Sequence, residues 1–170
     1  MKYILILLMG GLGIQLSYLG LGTANSKTEK FIKEQLEVQI MDIQEGKLAM
    51  DRATTESLRG YGELIVEEHS KMQRDLKDLA IQKNVKIPFQ LSDKKANALS
   101  DLMEKHGTDF DKQFIKMMII DHKRDICCLK NATKSKDPEI KAFAELYLPV
   151  LQNHLEEAQG INQFMKQARP

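Results

Sequence analysis

The chain has 170 residues, of which 42% are hydrophobic and 29% charged, a balance typical of one globular domain and too apolar for a disordered chain. Only 6% of the residues are aromatic and Gly and Pro are few, so the composition favours helices and excludes an all-β sandwich or a collagen-like chain. The 25 basic side chains are matched by 24 acidic ones. This balance provides no basic surface for nucleic acid, and we expect no nucleic-acid partner.

The first 24 residues have the pattern of a signal peptide. The basic start Met1-Lys2 is followed by an apolar run over residues 3–21 and by the small residues Gly22-Thr23-Ala24, which suit a signal peptidase. We therefore predict a signal peptide over residues 1–24, cleavage after Ala24, and a periplasmic or cell-envelope location. The alternative is a retained membrane anchor, because about 19 apolar residues can span a bilayer.

The rest of the chain is predicted to be all-α. Apolar residues recur at three- and four-residue spacing over residues 31–165, which is typical of amphipathic helices. Thr54-Thr55 supplies N-caps for the second helix, and Asp137-Pro138-Glu139 is a strong start signal for the last one. Thr108 and Asp111 have the spacing of a capping box. In chain order, the predicted helices span about residues 27–53, 56–84, 93–106, 108–134 and 138–167.

The lengths of these helices and their connections predict the architecture. Short turns at Thr54 and Ser135 each join two long helices, and a longer crossing segment connects the second long helix to the third. This pattern predicts an up-down-up-down four-helix bundle over residues 25–170, with one extra short helix between helices 2 and 3.

Each long helix carries one titratable group on its apolar face. With a rotation of about 100° per residue, His69, His122 and His154 each fall in the centre of an apolar stripe, and Asp42 falls on the apolar side of the first helix. In an up-down-up-down bundle the two short turns lie at the same end, and counted from that end, at about 1.5 Å per residue, the four lie within about two helical turns of one another. We therefore expect a polar site in the bundle core.

Two interpretations of this site remain open. Three imidazoles and one carboxylate suit a single transition metal ion, so Asp42, His69, His122 and His154 are candidate ligands for Fe, Mn, Zn or Cu, or for a small ligand. A carboxylate-bridged di-iron site is disfavoured because no Glu-x-x-His pair occurs. The second interpretation is a structural hydrogen-bond network that fixes the register of the helices.

Other polar residues have alternative interpretations beside this site. By angle, Glu68, Asp121 and Glu157 flank the apolar stripes, either as solvated residues or as partners that orient an imidazole. Cys127 and Cys128 are adjacent and cannot form an unstrained disulfide within a helix. They are interpreted as reduced residues, with an intermolecular bridge or a redox thiol as the alternative. Neither a nucleotide-binding glycine loop nor a hydrolase motif occurs.

Four segments resemble a family of exported bacterial proteins of unknown function, often labelled predicted outer membrane proteins. The segments are residues 42–49 (DIQEGKLA, where the family usually has Glu at the first position), 68–70 (EHS), 111 with 121–122, and 148–155 (LPVLQNHL). The resemblance covers residues 25–170 and implies a ferritin-like fold and export, without supplying a reaction.

Two functional hypotheses follow. The first is an exported bundle with a metal or small-ligand site in its core. The second is a non-catalytic envelope or stress-related protein whose His/Asp network is structural. Whether the protein is an enzyme is left open, and association with the envelope or with further copies of the chain is the kind of partnership we expect.

Overall fold

The computed structural model describes residues 25–87 and 90–167. The predicted signal peptide lies outside the described residues. Within them the chain is all-helical, and no helix is long and apolar enough to cross a membrane. The helices are α1 (Ser26–Arg52), α2 (Glu56–Gln82), α3 (Asp93–Met103), α4 (Gly107–Ala132) and α5 (Pro138–Gln167). These bounds confirm the predicted all-helical fold, with four long helices and one short helix.

Side-chain caps explain where two of the helices begin. The Thr55 hydroxyl accepts a hydrogen bond from the Leu58 amide at 3.3 Å at the start of α2. Asp137 accepts from the Glu139 and Ile140 amides at 3.2 and 3.3 Å at the start of α5. Both caps satisfy amides that have no partner within the helix, as predicted.

The predicted capping box at the start of α4 is wrong. The helix begins at Gly107, one residue before the predicted cap Thr108, and the buried Asp111 is turned toward another part of the fold. Its carboxylate accepts hydrogen bonds from the Thr54 hydroxyl and from the Thr54 amide, the latter at 3.0 Å. Asp111 therefore ties α4 to the turn between α1 and α2, a tertiary contact that local spacing does not reveal.

The buried apolar residues form two clusters, one at each end of the long helices. The first cluster contains the beginnings of α1 and α5 and the ends of α2 and α4. The second contains the ends of α1 and α5, the beginnings of α2 and α4, and the buried residues of α3. Helices α2 and α4 therefore run in the same direction, and α1 and α5 run opposite to them.

This arrangement corrects the predicted up-down-up-down order to up-down-down-up. The connection between α2 and α4 starts in the first cluster with Val85 and reaches the second cluster with Leu99 and Leu102 of α3. Because the connection travels the length of the fold, α4 starts at the same end as α2. The turns at Thr54 and Ser135 consequently lie at opposite ends. A hydrogen bond supports this order. The Thr28 hydroxyl near the start of α1 donates to Asp137, the residue before α5, at 2.9 Å, so these two helices begin at the same end.

Helices α1 and α2 approach closely at two glycines. A Cβ atom built on Gly62 would lie 2.7 Å from the backbone oxygen of Gly46, and one built on Gly46 would lie 2.8 Å from that of Gly62. Real Cβ atoms do not come this close to backbone oxygens, so the crossing depends on glycine at both positions. The close approach brings the polar side chains of α1 toward His69 on α2.

Candidate metal centre

A layer of polar side chains separates the two apolar clusters. On each long helix, buried polar residues lie between the last residue of one cluster and the first residue of the other, one each on α1, α2 and α5 and two on α4. These residues are Gln39 on α1, His69 on α2, His122 and Asp125 on α4, and His154 on α5. We call the three histidines the histidine cluster. All three side chains are essentially shielded from solvent, with 0–1% of each residue exposed.

The three imidazoles face one another across the middle of the fold. The distances between their ring centroids are 5.3, 5.3 and 5.4 Å. One nitrogen from each ring points inward, and these three nitrogens all lie within 4.8 Å of one another. His122 Nε2 and His154 Nδ1 are the closest pair, at 3.3 Å. A buried group of this geometry can hold a metal ion.

The outward nitrogen of each ring meets a group with an acceptor oxygen. His69 Nδ1 lies 2.8 Å from Gln39 Oε1 and 3.1 Å from Asp42 Oδ2. His122 Nδ1 lies 2.9 Å from the Met118 carbonyl oxygen, and His154 Nε2 lies 2.8 Å from Glu68 Oε2. A carbonyl or ionised carboxylate oxygen can only accept, so each outward nitrogen carries the proton and donates it.

This assignment leaves the inward nitrogens as lone-pair donors. A neutral imidazole carries one N–H and one lone pair, and the three N–H groups point away from the centre. Nε2 of His69 has no hydrogen-bond partner among the described residues. At 3.3 Å, His122 Nε2 and His154 Nδ1 then face each other with lone pairs. Such pairs repel unless a proton or a cation lies between them.

Burial keeps the imidazoles in the neutral form that binds metals. Burial lowers the pKa of His69 to about 4 and that of His122 to about 3, and the nearby His69 and His154 reinforce the effect on His122. Burial and the neighbouring His69 lower the pKa of His154 to about 4. At neutral pH no proton therefore competes for the inward lone pairs.

Buried acids lie on α1 and α4, and one of them, Asp42, lies 3.1 Å from His69. Asp42 and Glu45 are 1% and 0% exposed, and neither carboxylate oxygen of Glu45 has a partner among the described residues. Burial raises the pKa of Asp42 to about 6 and that of Glu45 well above its usual value. On α4, burial and the nearby Asp42 raise the pKa of Asp125 to about 7. The pKa values are raised because burial disfavours the charged carboxylate relative to the neutral carboxyl group.

The structure brings together most of the residues singled out from the sequence. The three histidines meet, and Asp42 lies against His69 Nδ1 on the outer side of that ring, not among the three inward nitrogens. Its assignment as a fourth ligand stays a prediction. Glu68 occupies the orienting position that was one of its two interpretations. Asp121 instead pairs with Arg124, at 2.8 Å.

Three groups near the site were not predicted from the sequence. Gln39 and Glu45 flank Asp42 at a spacing of three residues, so rotation by 100° per residue places them near the same face. Helical rotation alone therefore places both beside Asp42. The Met118 carbonyl left no signal in the sequence, because any residue type four positions before His122 offers a backbone carbonyl.

Cys127 is exposed and Cys128 is half-buried, and both are free thiols.

Comparisons with known proteins identify a family and a fold. A family model described as Domain of unknown function (DUF4142) matches residues 20–161. The crystal structure of a DUF305 fragment from Deinococcus radiodurans is similar with a TM-score of 0.73 and 13% identity, over 82% of this chain and 97% of that one. At this identity the similarity concerns the fold alone. No curated protein matches the sequence.

Proposed function

This chain belongs to the DUF4142 family, and we propose that it is a metal-binding protein whose centre is the histidine cluster. The observation that carries the proposal is the convergence of three lone-pair nitrogens within 4.8 Å of one another, each on a ring whose other nitrogen is held by an acceptor. Metal-binding histidines in proteins commonly donate their second nitrogen in this way, which fixes the ring and its tautomer.

The donor set defines the class of metal. Three neutral imidazoles suit a first-row transition ion such as Zn, Cu or Fe, and Mn where carboxylates join the ligand set. A site with three protein ligands leaves a coordination position for water or a small ligand, as in catalytic zinc sites. In the proposed centre His69, His122 and His154 bind the ion, Gln39 orients His69, and the Asp42 carboxylate lies 3.1 Å from His69 Nδ1. A reaction is not part of the proposal.

The alternative is a purely structural network. It is favoured by the hydrogen bonds that the three rings already make to Gln39, Met118 and Glu68. It does not account for the unpartnered Nε2 of His69 or for the lone pairs of His122 and His154 at 3.3 Å. A buried polar atom without a partner costs about 1–3 kcal/mol, so a bound cation explains these atoms better.

The fold and the location complete the proposal. The long crossing connection between α2 and α4 and the up-down-down-up order are typical of ferritin-like bundles, which have one such crossover. We propose a ferritin-like bundle for this reason. From residues 1–24 we propose export to the periplasm or cell envelope. Association with the envelope or with further copies of the chain is part of the same proposal.

Thermal unfolding with and without metal tests the function. Untagged protein is freed of metal with a chelator and then heated with an excess of Zn²⁺, Cu²⁺, Co²⁺ or Mn²⁺ in turn. A ligand that binds only the folded state at 100 times its dissociation constant stabilises it by about 3 kcal/mol. We expect at least one of these metals to raise the unfolding temperature of the wild-type protein by an amount that corresponds to such a stabilisation.

Two variants separate the metal from the network. His69→Ala should lose the metal-dependent stabilisation, whereas His106→Ala, which changes an exposed histidine at the start of α4, should keep it. The structural alternative predicts no stabilisation by any metal in the wild-type protein. It also predicts that His69→Ala is destabilised by about 1–3 kcal/mol, because the buried Gln39 side chain loses its hydrogen bond to His69.

A further inference from the structure

One of the three outward hydrogen bonds of the histidine cluster reaches solvent. The acceptors of His69 and His122 are buried in the core. Glu68, the acceptor of His154, has 40% of its side chain exposed, whereas 1% of the His154 side chain is exposed. Glu68 is therefore hydrogen-bonded to the cluster and accessible to the surrounding water.

Glu68 also lines a cleft on the surface between α2 and α5. The cleft has a volume of about 240 Å³, and its walls are Glu67, Glu68, Lys71, Arg74, Tyr147 and Val150. It is large enough to hold several water molecules or a hydrated ion. The Glu68 carboxylate thus lines this cleft and also contacts the His154 imidazole.

A centre buried between two apolar clusters needs a route by which a cation enters. Transition ions are strongly hydrated, and crossing the apolar clusters without ligands would leave the charge unsolvated. A carboxylate that lines the cleft supplies an oxygen ligand that can replace part of the hydration shell of the ion. When Glu68 turns to such an ion, its hydrogen bond to His154 Nε2 is released and the imidazole is free to rotate.

We propose that Glu68 is the gate of the metal centre, the residue that takes a divalent transition cation from this cleft and passes it to His154. The proposal rests on the proposed function. In the transfer the bond between Glu68 and the cation breaks, and a bond forms from the cation to the His154 lone pair. The N–H of His154 keeps its proton, so the hydrogen bond to Glu68 re-forms behind the ion.

The rate of metal uptake tests the gate. Glu68→Gln keeps an oxygen that accepts from His154 Nε2 but removes the negative charge, and Glu67→Gln removes a charge from the same cleft at a side chain for which no contact to the cluster is seen. Metal-free wild-type protein and both variants are mixed rapidly with Co²⁺, and the growth of its ligand-field absorption is followed. Equilibrium titrations give the stoichiometry and affinity.

We expect Glu68→Gln to slow both uptake and release of Co²⁺ by at least about tenfold, while the equilibrium affinity changes far less. Glu67→Gln should take up the ion at nearly the wild-type rate. Uptake by Glu68→Gln at the wild-type rate would overturn the gate, as would equal slowing by Glu67→Gln, because the effect would then be the charge of the cleft alone.

A measurement without metal separates failure of the gate from failure of the function. If wild-type protein binds no Co²⁺, the metal proposal fails, but access to the cluster is still visible in hydrogen–deuterium exchange at the imidazole C2 atoms. The pH profile of exchange gives the pKa of each ring, and each rate is compared after correction for that pKa. His154 should exchange several times faster than His69, and equal rates would overturn access through Glu68.

Discussion

The close approach of α1 and α2 at Gly46 and Gly62 determines whether an alanine at these positions raises or lowers the free energy of unfolding. Replacing Gly62 with Ala places a Cβ atom 2.7 Å from the Gly46 carbonyl oxygen, 2.9 Å from the Ala49 Cβ atom and 3.2 Å from the Met50 amide nitrogen. Two of the three neighbours are backbone atoms, which cannot move without moving α1. The substitution should therefore push the two helices apart.

The expected magnitude is the difference of two terms. Overpacking a close contact costs about 1–3 kcal/mol, and replacing glycine by alanine within a helix returns about 0.5–1 kcal/mol. The difference spans about 0–2.5 kcal/mol, and because the closest neighbour is a backbone atom we expect Gly62→Ala to lower the free energy of unfolding by an amount in the upper half of this range. Gly60→Ala, two residues earlier on the same helix, meets no atom within 4 Å. It should raise the free energy of unfolding by about 0.5–1 kcal/mol.

Urea unfolding followed by circular dichroism measures both variants against the wild type. Opposite shifts in the transition midpoint, with unchanged slopes, are expected. If both variants were stabilised to a similar extent, the packing of α1 against α2 at Gly62 would be refuted. Separation of the helices also moves Gln39 and Asp42 away from His69, so metal affinity should fall in Gly62→Ala and stay unchanged in Gly60→Ala.

Further predictions concern acid stability, the tie between α4 and the first turn, and the thiols. The pKa of His69 is lowered by burial to about 4, against about 6.5 in an unfolded chain, so the unfolded state binds the extra proton between these values and stability falls as the pH falls. Between pH 6.5 and 4 the free energy of unfolding of metal-free wild-type protein should therefore fall by about 3 kcal/mol more than that of His69→Gln. Urea unfolding at each pH measures this difference, and an equal fall in both proteins would contradict it. Asp111→Ala strands the Thr54 amide and should destabilise the fold by about 1–3 kcal/mol, as measured by urea unfolding, whereas loss of an exposed α4 carboxylate such as Asp109 should change little. Iodoacetamide should modify the exposed Cys127 before Cys128, since burial raises the pKa of the Cys128 thiol; mass spectrometry of the digested protein reads the order.

The spacing of apolar residues was enough to predict the helices and to select the three histidines. A helix buries the face where its apolar residues recur, so a polar residue in the middle of that face must be buried with them. His69, His122 and His154 each lie between two buried apolar residues of their own helix. Their convergence at one level was expected from heights counted from the two short turns, on the premise that both turns lie at the same end of the bundle. That premise is wrong, since the turns lie at opposite ends. The three histidines meet because each lies near the middle of its helix.

The direction of α4 could not be read from the same pattern. Periodicity within a helix is unchanged when the helix is reversed, and the order of the helices depends on the path of the connection before it. Here Val85 packs in the first apolar cluster and Leu99 in the second, so the connection crosses the full length of the fold. Contacts between distant segments decide this path, and residue spacing does not encode them.

The partners of the histidines were only partly predictable. Glu68 was one of three flanking acids that local spacing could not distinguish, and its contact with His154 depends on how α2 and α5 pack. Gln39 is uncharged, so nothing in its residue type marked it as a partner of His69. The clearest part of the site in the sequence was therefore the set of ligands, and the least clear was the set of residues that orient them.

The metal content of the protein tests the central claim most directly. Untagged protein is purified from cells without a chelator, and elemental mass spectrometry measures metal per chain for the wild type, His69→Ala and His106→Ala. We predict close to one transition metal ion per chain in the wild type and in His106→Ala, and its loss in His69→Ala. Wild-type protein that contains no metal, and takes up none when Fe²⁺, Mn²⁺, Zn²⁺ and Cu²⁺ are supplied, would contradict the metal centre.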